Sequence, residues 1–232
     1  MSIEFKKPAD VARASGIKML VYGVPGAGKT LLSTTTGEKT LLVSAEAGLL
    51  SIMGTKADVD VVEVHTFEQL GGIYQHLQGG TDYNWVILDS ISEIAEVVLA
   101  EEMKASKHAL KAYGEMATKV INMVRAFRDL SGYDVMFTAK QDKSTDDYNR
   151  LTYGPSTPGA KTSAALPYYV DLVAALILHK DREGNTNHWL QCHGDGIYIA
   201  KDRSGRLDAY EEPNLQAVKE KILGQKLTSK AA

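Results

Sequence analysis

From residue 18 onward, short unbroken apolar runs alternate with longer stretches whose apolar positions recur at helical spacing. Lys18-Met-Leu-Val-Tyr22 ends at Gly23; Thr40-Leu-Leu-Val-Ser44, Val59-Asp-Val-Val-Glu-Val64, Trp85-Val-Ile-Leu88 and Asp134-Val-Met-Phe-Thr138 follow. Runs this short and this apolar predict strands buried on both faces, as in a parallel sheet. Between the last two, Ile91, Ile94, Ala95, Val98 and Leu99 form one stripe, with Glu93, Glu96 and Glu101 largely off it. Met116, Val120, Met123, Val124, Phe127 and Leu130 form a second. Stripes at this spacing are the core faces of two helices. The alternation predicts an α/β domain, a mainly parallel central sheet flanked by helices.

Beyond Thr138 the pattern changes. Asp142 to Thr162 is polar and aperiodic, with Asp142, Asp146, Asp147, Gly154, Pro155, Pro158 and Gly159, and predicts a long loop. Strand-like sequence returns over Tyr168 to Leu178. A C-terminal β-hairpin is expected from Trp189-Leu-Gln-Cys-His193 and Ile197-Tyr-Ile-Ala200, turning at Gly194-Asp195-Gly196. Asn214 to Leu223 reads as a helix, and a polar tail follows Gly224. With no internal repeat and no domain boundary, residues 1–232 are expected to be one domain, its core at about 16–204 and a C-terminal helix and tail at 205–232.

Composition narrows the class. The 232 residues are 44% hydrophobic and 24% charged, an ordinary globular mixture. No apolar run approaches the ~20 residues of a membrane span, and the first eight residues lack the apolar segment of a signal peptide. The single cysteine, Cys192, excludes an internal disulfide and fits a reducing cytoplasm. A net charge of -3 requires any nucleic acid to be met by a local basic patch.

The chemistry begins at Gly23-Val24-Pro25-Gly26-Ala27-Gly28-Lys29-Thr30, followed by Leu31. This is P-loop spacing. Glycines let backbone N–H groups curl around phosphates, and the following helix presents its positive end. Lys29 supplies a mobile cation for the β- and γ-phosphates, and Thr30 a hydroxyl for Mg²⁺. The helix after the loop is short, Leu31 to Thr36, with Gly37 as its stop. No guanine-reading Asn-Lys-x-Asp stretch occurs, so the expected nucleotide is ATP. The run Trp85 to Leu88 ends in Asp89-Ser90. A carboxylate at a buried strand end beside a phosphate loop is placed to support Mg²⁺. The alternative is a strand-ending aspartate that caps the next helix.

Several segments together resemble the RecA-like P-loop ATPases. Thr40-Leu-Leu-Val-Ser-Ala-Glu46-Ala-Gly48 is similar to their strand ending in the glutamate that activates water. Val86-Ile-Leu-Asp89-Ser90 is similar to their Mg²⁺ strand. Val135-Met-Phe-Thr-Ala-Lys-Gln141 resembles the strand whose glutamine senses the γ-phosphate and leads into a mobile DNA-binding loop. Pro158-Gly159-Ala-Lys161, with Tyr168 to Leu178, resembles the far end of that loop and the next core strand. Lys201-Asp202-Arg203 resembles the basic pair that reaches the ATP of a neighbouring subunit. The likeness runs from about Lys18 to Arg203 and is greatest to compact phage-encoded, Sak-type single-strand annealing recombinases. It implies a RecA-like fold, Mg²⁺-dependent and DNA-stimulated ATP hydrolysis, and a homo-oligomer with ATP at the subunit interface. It also implies residence in the host cytoplasm, single-stranded DNA as partner, and room for an accessory single-strand-binding protein. The Phe-x-x-Ala segment that joins neighbours in eukaryotic and archaeal recombinases is not found, nor is a DNA-binding appendage.

The residues leave alternatives beside these roles. Glu46 is the expected catalytic base, against a surface glutamate at a strand end; Glu93 is a competing base expected on the solvent face of its helix. Gln141 is a γ-phosphate sensor or an ordinary polar strand end. Lys201 and Arg203 act in trans on transition-state charge, or belong to a solvated turn. Lys143, Arg150 and Lys161, interleaved with Tyr148 and Tyr153, have the composition of a single-strand-binding loop, against a flexible solvated one. His188, Cys192 and His193 lack zinc-ligand spacing, and strand alternation separates Cys192 from His193. A nucleotide-switched partner of a helicase or packaging machine is the alternative function, and a P-loop kinase a further one.

Overall fold

The computed structural model describes residues 5, 7–46, 48–145, 148–180 and 183–224. Ala47, Asp146, Asp147 and the tail after Gly224 therefore lie outside the described residues, as do residues 1–4 of the expected leaderless N-terminus.

Helix α1 (Pro8–Ser15) leads into β1 (Lys18–Gly23), and a 3₁₀ helix (Thr30–Thr35) follows the phosphate loop. Next come β2 (Thr40–Ser44), a second 3₁₀ turn (Leu49–Ile52), β3 (Val59–Glu63), α2 (Phe67–Gln78), β4 (Trp85–Asp89), α3 (Ile91–Ala105) and α4 (Ala109–Arg128). The chain continues through β5 (Asp134–Thr145), β6 (Leu151–Ser156), α5 (Ala160–Tyr169), β7 (Leu172–Lys180) and β8 (Thr186–Gln191). It closes with β9 (Lys201–Asp202), β10 (Tyr210–Glu211) and α6 (Leu215–Leu223).

All ten strands of the described residues join one sheet, in the order β10-β8-β7-β1-β5-β4-β2-β3, with β6 beside β5 and β9 beside β7. Neighbours from β7 to β3 pair in parallel. The expected mainly parallel sheet is present, and β1, β2 and β4 are buried along their whole length, as their unbroken apolar runs require. One face carries Leu20, Val43, Leu88 and Phe137 against α3, α4 and α5 through Ile94, Val98, Val120, Phe127 and Leu166. The other carries Val21, Leu42, Ile87 and Met136 against the first 3₁₀ helix and α6 through Leu32, Leu215 and Val218. Among the described residues no helix is long and apolar enough to cross a membrane.

Three local expectations change. The polar stretch after Asp142 is not a long loop: β5 runs on to Thr145 and pairs antiparallel with β6, Lys143 opposite Tyr153. This hairpin projects past the core, so no buried face marks it in the sequence, and hydroxyl pairing such as Ser144 to Thr152 at 2.8 Å helps hold it. Tyr168 and Tyr169 end α5 rather than opening a strand, because Leu166 and Val170 fill the face beside α4. The C-terminal hairpin exists, but its arms are β7 and β8, His188 opposite Leu178. Gly194-Asp195-Gly196 does turn the chain, with the Asp195 carboxylate accepting from Ile197 and Tyr198 N–H. The segment beyond it pairs instead with Tyr153, whose N–H and C=O bond Ile197 and Ile199.

Candidate nucleotide site

Open parallel sheets bind ligands at the carboxyl ends of their strands. Here β1, β2, β4 and β5 deliver their ends to one place. Gly23 closes β1 against β7, where an added Cβ would lie 2.7 Å from the Leu176 carbonyl oxygen. Gly28 has φ +100°, open to glycine at little cost. Between them the chain curls so that the half-buried Lys29 Nζ donates to the Gly23 and Val24 carbonyls at 2.9 and 3.1 Å. Burial lowers the Lys29 pKa; the charges of Glu46 and Asp89 oppose that, and Lys140 adds to it. His188 of β8 steadies the loop from outside, its Nδ1 2.9 Å from the Ala27 carbonyl.

Strand β5 lies between β1 and β4, and Thr138 bridges the gap. Thr30 Oγ1 donates to Asp89 Oδ2 at 2.6 Å, while the Thr138 hydroxyl donates to Asp89 Oδ1. Asp89 is 2% exposed, so these hydroxyls replace water around its carboxylate. Helix capping falls to its neighbour: Ser90 Oγ accepts from Glu93 N–H at the start of α3. The same Ser90 hydroxyl donates to Glu46. Ser44 lies level with Asp89 across the β2–β4 pair, which carries Glu46 to this position. Gly48 brings its backbone over Thr30, an added Cβ being 3.5 Å from Oγ1.

These groups suit a nucleotide with Mg²⁺. Hard oxygens of Thr30 and Asp89 stand beside a backbone cradle and a lysine. Among the described residues no group of three or more His, Cys, Asp or Glu converges. Mg²⁺ commonly takes one or two protein oxygens and completes its shell with phosphate and water. The profile of the AAA domain family matches residues 15–204, which span the phosphate loop and every strand from β1 to β9. The chain belongs to the AAA domain family. It is a P-loop ATPase, a nucleotide-hydrolysing protein. No curated protein matches it.

The other sequence candidates of this AAA domain are distributed unevenly. Gln141 makes no described contact with Lys29, Thr30, Asp89 or Glu46, and strand alternation puts it on the face opposite Thr138. Glu93 is not simply solvated: its carboxylate holds Lys140 Nζ at 2.9 Å. Lys201 and Arg203 lie by the start of β7, Lys201 level with Val173, at the opposite end of the sheet from the phosphate loop. Arg203 there donates to the Tyr168 carbonyl at 3.1 Å and faces Asp171 at 3.4 Å. Lys143 and Tyr153 face each other in the β5–β6 hairpin, and Arg150 stands over the Tyr148 ring at 5.3 Å. Lys161 is in the first turn of α5. The Tyr153 ring is stacked on Tyr198 with centroids 5.1 Å apart, and Tyr148, with Arg150 over its ring, is 81% exposed. Thr138, Ser90 as a partner of Glu46, His188 and Lys140 escaped the sequence reading. Their roles come from strand adjacency, and only Thr138 and Lys140 had a signal, the polar end of an otherwise apolar run.

Proposed function

We propose that this AAA domain is a Mg²⁺-dependent, RecA-like ATPase that acts on single-stranded DNA in phage recombination, annealing or repair, in the host cytoplasm. What supports the catalytic part is the convergence of Lys29, Thr30, Asp89 and Glu46 from β1, β2 and β4, with Thr30 and Asp89 in contact at 2.6 Å. Backbone N–H groups of Gly26 to Leu31 cradle the phosphates, and Lys29 turns from the Gly23 and Val24 carbonyls to the β- and γ-phosphates. Thr30 and Asp89 hold Mg²⁺, which when bound supplies positive charge to the phosphate oxygens. Glu46, oriented by Ser90, accepts a proton from water as its oxygen bonds the γ-phosphorus and the bond to the bridging oxygen of ADP breaks.

The DNA part rests on the β5–β6 hairpin. It projects from the carboxyl end of the sheet, which also carries the phosphate loop, and bears Lys143, Tyr148 and Arg150, with Lys161 following at α5; cations that track phosphates and an exposed ring suit single strands. Gln141 stands at the hairpin base without a described contact to the site, so its proposed γ-phosphate role requires it to turn toward bound nucleotide. Lys201 and Arg203 lie too far along the sheet to serve their own phosphate loop, so the role proposed for them is on the ATP of a second copy, in a homo-oligomer with ATP at the interface; an accessory single-strand-binding protein is a further proposed partner.

The test is phosphate release from ATP with and without single-stranded DNA at several protein concentrations. DNA stimulation that steepens with protein concentration and vanishes in Glu46→Gln is the expected result. Turnover indifferent to DNA overturns the DNA reading and leaves a nucleotide-switched protein partner; phosphate passed to an acceptor without free phosphate establishes a kinase.

A further inference from the structure

Lys140 occupies a position that no sequence motif assigns. Its Cα is the register partner of Gly23, the first residue of the phosphate loop, so it lies one strand spacing, about 4.8 Å, from that loop. It follows Thr138 by two residues and therefore starts on the same face of β5 as the hydroxyl that touches Asp89. Its ammonium is held by Glu93 Oε2 at 2.9 Å and Glu96 Oε1 at 2.7 Å. Burial works against that charge, yet the hydrogen bonds to Glu96 and Glu93 outweigh it and raise the Lys140 pKa to about 12. Lys140 is thus a permanent cation close enough to Lys29 for the two charges to act on each other.

The pairing is exchangeable. Lys140 is 43% exposed and its partners 32% and 48%. Ion pairs this open to water contribute little to stability and exchange readily. A γ-phosphate beside Lys29 presents more negative charge than either carboxylate, within reach of a flexible lysine stem.

We propose that Lys140 is the residue by which the site tells ATP from ADP, its ammonium leaving Glu93 and Glu96 for the γ-phosphate. The inference rests on the nucleotide reading above and deepens it. The exchange has a route to the hairpin. Lys140 N–H donates to Ser92 Oγ at 2.8 Å, and Ser92 Oγ donates to the Ser156 carbonyl opposite it. A movement of Lys140 therefore acts on both arms of the hairpin at its base, one residue before Gln141.

The test measures affinity for Mg²⁺-ADP and for a non-hydrolysable Mg²⁺-ATP analogue with an imido β–γ bridge, without DNA and without turnover. A charge-assisted hydrogen bond present with only one nucleotide corresponds to a loss of about tenfold to a hundredfold in the analogue-to-ADP affinity ratio of Lys140→Met. Lys140→Arg keeps most of the ratio. The Glu93→Gln, Glu96→Gln double variant, which releases Lys140, raises it, and this opposite sign stands even where Lys140→Met folds poorly. Equal loss of both nucleotides in Lys140→Met, or an unchanged ratio in the double variant, overturns the inference alone. A wild-type protein that binds neither nucleotide overturns the parent reading with it.

Discussion

Replacing Thr30 by valine removes one hydroxyl and keeps the β-branched shape. In the folded protein that hydroxyl donates to Asp89 Oδ2 at 2.6 Å, and Asp89 is 2% exposed, so little water reaches the carboxylate. A hydrogen bond to a charged group contributes about 1.5–3 kcal/mol net. For a domain of this size each kcal/mol lowers Tm by about 2–4 °C, so the nucleotide-free variant is expected to melt about 3–12 °C lower. Thr30 is itself half-buried, and water replacing part of the bond favours the lower end. The effect on function is larger. With Thr30 as a Mg²⁺ ligand, the Mg²⁺ concentration for half-maximal phosphate release rises by about 10–100-fold, the range found when groups supporting a metal are removed. Thr30→Ser restores the hydroxyl and with it both properties. Two assays suffice: thermal unfolding without nucleotide, and phosphate release against Mg²⁺ at fixed ATP. A valine variant with lowered Tm and wild-type Mg²⁺ dependence makes the hydroxyl purely structural and refutes the metal cradle.

Other outcomes follow from the same geometry. Glu46→Gln keeps the Ser90 contact and cannot take a proton; turnover falls by about 10²–10⁴-fold while Mg²⁺-ATP affinity stays near wild type, and joint loss of both would make Glu46 a binding residue. Gly23→Ala places a methyl 2.7 Å from the Leu176 carbonyl and costs about 1–3 kcal/mol, read as a lower Tm; an unchanged melt would mean that β7 yields freely. Buried Lys18, whose ammonium donates to the Leu130 and Tyr133 carbonyls, has its pKa lowered to about 8 from 10.5, mainly by burial. The unfolded chain binds the extra proton between these values, so stability referred to Lys18→Met rises from pH 8 toward 10.5 by up to about 3 kcal/mol; parallel pH profiles of the two proteins contradict it. Burial raises the Cys192 and Tyr22 pKa values and works in the opposite direction at high pH, which is why the difference between the proteins is the readout. Mixing Lys29→Ala with Arg203→Ala, each inactive alone, is expected to restore part of the activity because Arg203 serves a neighbour's ATP; an Arg203→Ala protein that keeps full activity by itself makes Arg203 part of a solvated turn.

Local chemistry was legible wherever one segment carried the whole signal. The phosphate loop, the strand ending in Asp89 and the stripes of α3 and α4 each state their structure within a few residues, because backbone conformation and burial period are local properties. Helix α2 was equally readable and was passed over: Thr66 and Gln69 form a capping box, and Leu70, Ile73, Tyr74 and Leu77 recur at helical spacing behind it. The β5–β6 hairpin was not readable, since strands that leave the core lose the alternation of buried and exposed positions. Nor was the pairing of β8, which chose β7 over the nearer segment because that segment found Tyr153.

What the sequence alone determined was the set of parts: a phosphate loop, a carboxylate at a buried strand end, a glutamate at another, and the parallel sheet that their apolar runs require. What only the tertiary structure decided was how those parts share work. Strand order put β5 between β1 and β4, which brought Thr138 to Asp89 and Lys140 to Gly23, and left capping to Ser90 so that Asp89 could face Thr30. Strand order is a long-range outcome, set by which faces can be covered together. No window of sequence contains it.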